Sequence, residues 1–242
     1  MKKLISFLFL IPLFLLLSSC KRQNPVEMDD GSFLSLNGKI ENWTSGNKCS
    51  AVFLSMTITS ETSPDSGTTF AIGKAEIDGQ GNFTMANIPP PPDTLYHLTE
   101  ESGNIGFFYN YPVNFHGYTN PFISVLDSAK NFKSYLIYST QSTSVLPYIN
   151  ENTVIGDYTM VYQYSDRDIT IDSSNTNSGA NNVTLHFTYK VSLKKGWNKM
   201  YAVTTAVSST DRSATWTTTT PETPGKWYMC NRYLKTKQNL FQ

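Results

Sequence analysis

Charge is scarce in this chain. Aspartate, glutamate, lysine and arginine make up 16% of its 242 residues, with 19 basic and 19 acidic, against about 25% in an ordinary globular domain. A balanced charge gives no electrostatic footing for nucleic acid, because that binding rests on neutralised phosphates. Histidine is scarcer still: His97, His116 and His186 lie far apart, without metal-ligand spacing. No Gly-x-Ser-x-Gly elbow and no phosphate-cradling glycine loop is present. Sustained helical periodicity with caps is missing after residue 20. These absences predict a protein that is not an enzyme and uses no cofactor or metal. A Ser-His-Asp triad is a spatial arrangement, so a hydrolase stays as the minor alternative.

One long apolar run is present, and it stands at the beginning. Lys2 and Lys3 precede residues 4–17, which are apolar apart from Ser6. That run is short for a membrane span of roughly 20 residues. It fits the hydrophobic core of a secretory leader. Leu17-Ser18-Ser19-Cys20 follows. An aliphatic residue, two small residues and a cysteine resemble the lipobox of bacterial lipoproteins. The resemblance implies residues 1–19 as signal peptide, cleavage before Cys20, and a diacylglyceryl thioether on its sulfur. An ordinary leader with a chance cysteine is the competing reading. Two or three acyl chains anchor a protein stably, whereas one does so marginally.

Cleavage removes Lys2 and Lys3, so 19 basic residues become 17 against 19 acidic. Residues 20–32 read as a lipidated flexible tether, polar and without hydrophobic periodicity. Residues 21–32 extend at most about 40 Å at roughly 3.3 Å per residue. Surface-exported lipoproteins of Bacteroidetes carry acidic residues directly after the cysteine. Here Lys21 and Arg22 come first, then Glu27, Asp29 and Asp30, which leaves periplasmic and surface faces of the outer membrane both open. Beyond the inner membrane, Cys49 and Cys230 can pair as a disulfide; separately buried thiols are the alternative.

Thr, Ser, Asn and Tyr take the place of charge, a composition of strands. Period-two alternation marks residues 33–43, 51–58, 158–164 and 183–191. Asp78-Gly79-Gln80-Gly81 turns a hairpin between 69–77 and 82–86. With one carboxylate, it is a turn sooner than a calcium loop. Pro89 to Pro92 read as a polyproline II or edge connection, and residues 103–120 as aromatic and irregular. Further strands are expected at 95–98, 121–126, 134–139, 197–207, 214–218 and 226–233. Ser165 to Asp168 are expected to turn one strand back into Ile169 and Ile171, with residues 172–182 as a mobile loop. Asp166 and Asp168 belong to that turn in preference to a catalytic pair.

Leu36-Asn37-Gly38-Lys39-Ile40, Gly46 and Ser50-Ala51-Val52-Phe53-Leu54 resemble the opening of carboxypeptidase-regulatory-like, or transthyretin-like, β-sandwich domains. Ala75 to Phe83, the prolines and Tyr96-His97-Leu98 resemble their continuation. The resemblance covers residues 34–98 and implies an adhesion, scaffold or carrier module without catalytic residues. The expected organisation is all-β: a transthyretin-like antiparallel sandwich at 33–145 and a second antiparallel β domain at 146–242.

Aromatic residues are in surplus, with 14 Tyr, 14 Phe and 4 Trp. Trp216 stands among threonines, and Trp227 and Tyr228 follow a Pro/Gly segment. Exposed rings on a β-domain stack sugars or anchor protein interfaces; rings packed in the core are the alternative. The predicted role is membrane attachment through Cys20 and non-catalytic binding of a glycan, peptide or protein. A pilus or surface-assembly subunit is the second reading.

Overall fold

The computed structural model describes residues 33–44, 49–57, 68–90, 117–120, 123–141, 152–165, 167–178 and 183–230. Cys20, the leader, the tether, His97, His116, Asp166 and the strand expected at 95–98 lie outside them. The described residues are all-β, as predicted, with thirteen strands and no helix. The first seven are β1 (Leu34–Lys39), β2 (Cys49–Thr57), β3 (Thr68–Ile77), β4 (Asn82–Ile88), β5 (Gly117–Asn120), β6 (Ile123–Asp127) and β7 (Phe132–Ser139). The remaining six are β8 (Tyr158–Ser165), β9 (Ile169–Ser178), β10 (Thr184–Leu193), β11 (Gly196–Val207), β12 (Asp211–Thr217) and β13 (Lys226–Cys230).

Neighbouring strands follow the order β1-β4-β3-β2-β6-β7-β8-β11-β12-β10-β9. All pairs are antiparallel except β10 with β12. β13 lies against β7, Trp227 opposite Tyr138, and also meets β1 through a parallel bridge between Ile40 and Trp227. The Asn42 side chain extends that seam: its Oδ1 accepts from Met229 N at 2.8 Å and its Nδ2 donates to Met229 O at 2.9 Å. The chain's last described strand thus completes pairings begun by its first. The boundary expected after residue 145 falls between β7 and β8, which are paired at Tyr138–Met160 and Ser139–Thr159.

Two apolar clusters result, and they share a wall. Alternate side chains of β7, β8, β11 and β13 point to opposite sides, as strand geometry requires. Leu136, Met160, Tyr162, Trp197, Tyr201 and Trp227 enter the first cluster; Ile137, Val161, Met200, Ala202 and Cys230 enter the second. β8 therefore buries all eight of its residues. Leu34, Leu36, Ile77, Phe83 and Met85 complete the first cluster from the N-terminal strands, and Leu185, Phe187, Tyr189, Ala214 and Trp216 the second.

Two hairpins use the same turn. Ile77-Asp78-Gly79-Gln80-Gly81-Asn82-Phe83 and Leu126-Asp127-Ser128-Ala129-Lys130-Asn131-Phe132 share aspartate, asparagine and phenylalanine positions. Asp78 Oδ1 accepts from Gln80 N and Asn82 N at 2.9 and 2.8 Å. Asp127 Oδ1 accepts from Ala129 N and Asn131 N at the same two distances. The residue before the asparagine is left-handed in each: Gly81 has φ 84° and Lys130 φ 65°. Glycine adopts that region without penalty, whereas lysine does not. At Gly81 a Cβ would also come within 2.7 Å of Trp43 Cβ.

Three expectations are corrected. Residues 172–178, expected as a mobile loop, continue β9, whose ten residues all pair with β10. Partner pairing overrides the turn-favouring composition of Ser and Asn. Ser165 to Asp168 do connect two strands, but β8 and β9 are not neighbours; β11, β12 and β10 stand between them in the ladder. Residues 117–120, expected to be irregular, form β5 and pair with β8 beyond the stretch that β7 occupies.

Candidate functional site

The aromatic residues predicted to face a ligand are placed differently. Trp216 is 2% exposed and Trp227 4%. Tyr228 is half-buried against the second cluster. The reason is strand parity. In β12, Ala214 and Trp216 point inward while Ser213, Thr215 and Thr217 point outward. The threonines around Trp216 are the polar half of an ordinary alternation. Trp227 packs edge-on against Phe83 and Tyr138, with centroids 5.2 and 5.4 Å away, and its Nε1 donates to Asn37 O at 3.2 Å. Gly38 lies directly beneath the indole, where a Cβ would sit 2.2 Å from Trp227 Cδ1. Cys49 and Cys230 are both buried thiols, the first in one cluster and the second in the other. The shared wall separates them.

The outward face of β9, β10 and β12 is the most distinctive surface. Directly paired residues share a face, so the register builds rows across it. Thr176, His186 and Ser213 form one row, Ser174, Thr188 and Thr215 the next, and Asp172, Lys190 and Thr217 a third. All nine are exposed or half-buried, and none is apolar. The face is a closely spaced array of hydroxyls with paired charges at intervals. His186 ties three strands together: Thr176 Oγ1 lies 3.1 Å from its Nδ1, and Asp211 Oδ1 3.4 Å from its Nε2. The Thr210 hydroxyl, donating to Asp211 Oδ2 at 2.6 Å, and then His186 hold the Asp211 carboxyl below the usual carboxylate range. Thr176, His186 and Asp211 thus stand in line, as triad members do, but on an open sheet face.

Asp168, the described one of the two aspartates at 166 and 168, holds a turn between β10 and β11. Its Oδ2 accepts from Lys194 Nζ at 2.7 Å and its Oδ1 from Lys195 N at 2.9 Å. Its carboxyl is lowered by the Lys194 donor first and the Lys195 amide next. A second feature is an apolar tip. Val154 and Ile155 are 63% and 68% exposed, on a turn held by Asp157, whose Oδ2 accepts from Val154 N at 2.9 Å. The hydroxyl face is hidden in the sequence because the Ser- and Asn-rich residues 172–178 carry a loop-like composition. The available signal was the polar set of Thr184, His186, Thr188 and Lys190 in β10, which needs polar neighbours on either side.

Comparison with protein-family models, curated proteins and solved structures found no match to this chain.

Proposed function

We propose that this chain is a bacterial cell-envelope lipoprotein, held on the outer membrane by lipid at Cys20, that binds a polar ligand without catalysis. The leader and the Leu17-Ser18-Ser19-Cys20 motif support the anchor. The resemblance of residues 34–98 to transthyretin-like modules, which bring no catalytic residues, supports the non-enzymatic role. The observation that carries the binding role is the hydroxyl-rich face of β9, β10 and β12. Hydroxyl rows at strand spacing offer donors and acceptors to a ligand that is itself rich in both, and a glycan meets that description. The lipid and tether keep this face near one surface, where an envelope glycan would be encountered.

The test is retention of the full chain by purified cell-wall and surface glycans. Wild type should be retained. Thr188→Lys and Thr215→Lys, which thrust charge into the central row, should fold normally and lose retention. Equal retention of both variants and wild type, or no retention by wild type, overturns the reading. A surface-assembly subunit is the second reading, and β9, which among the described residues pairs only with β10, favours it.

A further inference from the structure

We propose that the β6–β7 hairpin is a second binding site, apart from the hydroxyl face, for an acidic glycan whose sugar ring stacks on Phe132 and whose carboxylate meets Lys130. The two Asp turns supply the comparison. Each closes a hairpin through the same aspartate bonds and places a phenylalanine directly after its asparagine. Phe83, in the first, is 3% exposed and packs edge-on against Trp227. Phe132, in the second, is 40% exposed. The same turn thus feeds the core in one hairpin and presents a ring to solvent in the other.

The left-handed position differs as well. Glycine holds it at residue 81, close under Trp43. At residue 130 a lysine holds it, at φ 65°, in a region that residues other than glycine, asparagine and aspartate seldom adopt. Strain of this kind concentrates where a side chain serves a ligand. Lys130 is exposed and forms no ion pair among the described residues, whereas Lys133 reaches Asp127 at 3.3 Å.

Tyr135 completes the site. Its ring lies 4.8 Å from that of Phe132, tilted by 57°, and it packs on the second cluster. Phe132 is therefore braced from the core on one side. Its exposed part offers an apolar surface for the C–H groups of a sugar ring. Lys130, two residues earlier, supplies a charged donor for a carboxylate.

Strand direction favours a glycan over a lipid surface. From β1 through β4, β3 and β2 to β6 every neighbour is antiparallel, so β1 and β6 run the same way. The chain enters β1 at one end of the sheet and turns from β6 into β7 at the other. With residues 20–32 as the lipidated tether, the hairpin stands at the end remote from the anchor, where envelope polymers are met in place of headgroups.

Full chain in detergent, applied to galacturonate, glucuronate and sialate oligomers and to their methyl esters, tests the site. At least one acid should be retained, and its ester, which keeps the ring and loses the charge, should not. Phe132→Ala should weaken that binding about fivefold, and Phe132→Tyr should keep it. Lys130→Gly should weaken it about tenfold while leaving the fold at least as stable, a split that a purely structural lysine would not give. Equal retention of acids and esters, no retention by wild type, or unchanged affinity in either Lys130→Gly or Phe132→Ala would overturn the proposal. Loss confined to Thr188→Lys would place binding on the hydroxyl face and overturn it too. So would a fluorophore at Phe132→Cys, on full chain in phosphatidylglycerol vesicles, that brominated acyl chains quench, because the hairpin would then be a lipid contact.

Discussion

Trp227 closes the seam between the last strand and the first, and a double-mutant cycle with Gly38 measures that closure. In Gly38→Ala the new methyl would lie 2.2 Å from Trp227 Cδ1 and 2.5 Å from Nε1. Contact at that distance cannot be kept, so either the indole or β1 must shift. Overpacking of this kind costs about 1–3 kcal/mol, and the depth of the overlap points to the upper part of that range. Trp227→Ala removes the ring instead. It forfeits the packing on Phe83 and Tyr138 and the bond to Asn37 O, for about 3–5 kcal/mol. With the indole gone, the Gly38 methyl has room. Substituting glycine there then becomes neutral, or stabilising by about 0.4–1 kcal/mol through the unfolded chain. The two changes should therefore be coupled by about 2 kcal/mol or more, far outside the additivity of independent sites. Urea denaturation of the four proteins, followed by circular dichroism, supplies the numbers. The same loss from Gly38→Ala in both backgrounds would mean that β13 does not seat its tryptophan on β1.

Trp216→Ala should destabilise by about 3–5 kcal/mol, because it empties a buried site in the second cluster; unchanged stability in denaturant would restore the exposed-ring reading. Lys130→Gly should stabilise by roughly 1 kcal/mol by removing a left-handed lysine, whereas Gly81→Lys should destabilise through both φ and contact with Trp43; thermal melts separate the two. Asp78 and Asp127 have carboxyls held below 3.8, Asp78 chiefly by the Asn82 side-chain donor and Asp127 chiefly by the Asn131 amide. Their contribution is complete above the ordinary carboxylate value and fades as pH falls through the lowered one. Carboxyl titration followed by nuclear magnetic resonance should place both midpoints below 3.8, and Asn82→Ala should raise that of Asp78; no change in the variant would contradict the geometry.

Where alternation was strong, the fold was legible from single strands. Tyr158, Met160, Tyr162 and Tyr164 lie on one face, as do Leu185, Phe187, Tyr189 and Val191 in β10, because period two in a half-apolar pattern has one structural solution. Polar neighbours hide the burial of Trp216 and the pairing of β9: threonines in the strand expected at 214–218 suggest an exposed ring, and Ser and Asn at 172–178 suggest a loop. On the outward side of a sheet, Ser, Thr and Asn cost little, and the partner strand decides the conformation. The paired Asp-to-Asn turns are legible in principle, since Asp78, Asn82 and Phe83 stand at the same spacing as Asp127, Asn131 and Phe132. The closure of β13 on β1 was not, because its contacts join residues nearly 190 apart, Asn42 with Met229 being 187, and no local pattern encodes such a partner.

Attachment through Cys20 is the claim on which the functional account stands. Mass spectrometry of the N-terminal peptide, from full chain purified out of its own membranes, tests it most directly. The account predicts a chain beginning at Cys20, its sulfur carrying a diacylglyceryl group, and a Cys20→Ala variant that no longer sediments with membranes. An unmodified Cys20, or a Cys20→Ala variant that remains fully membrane-bound, would contradict it.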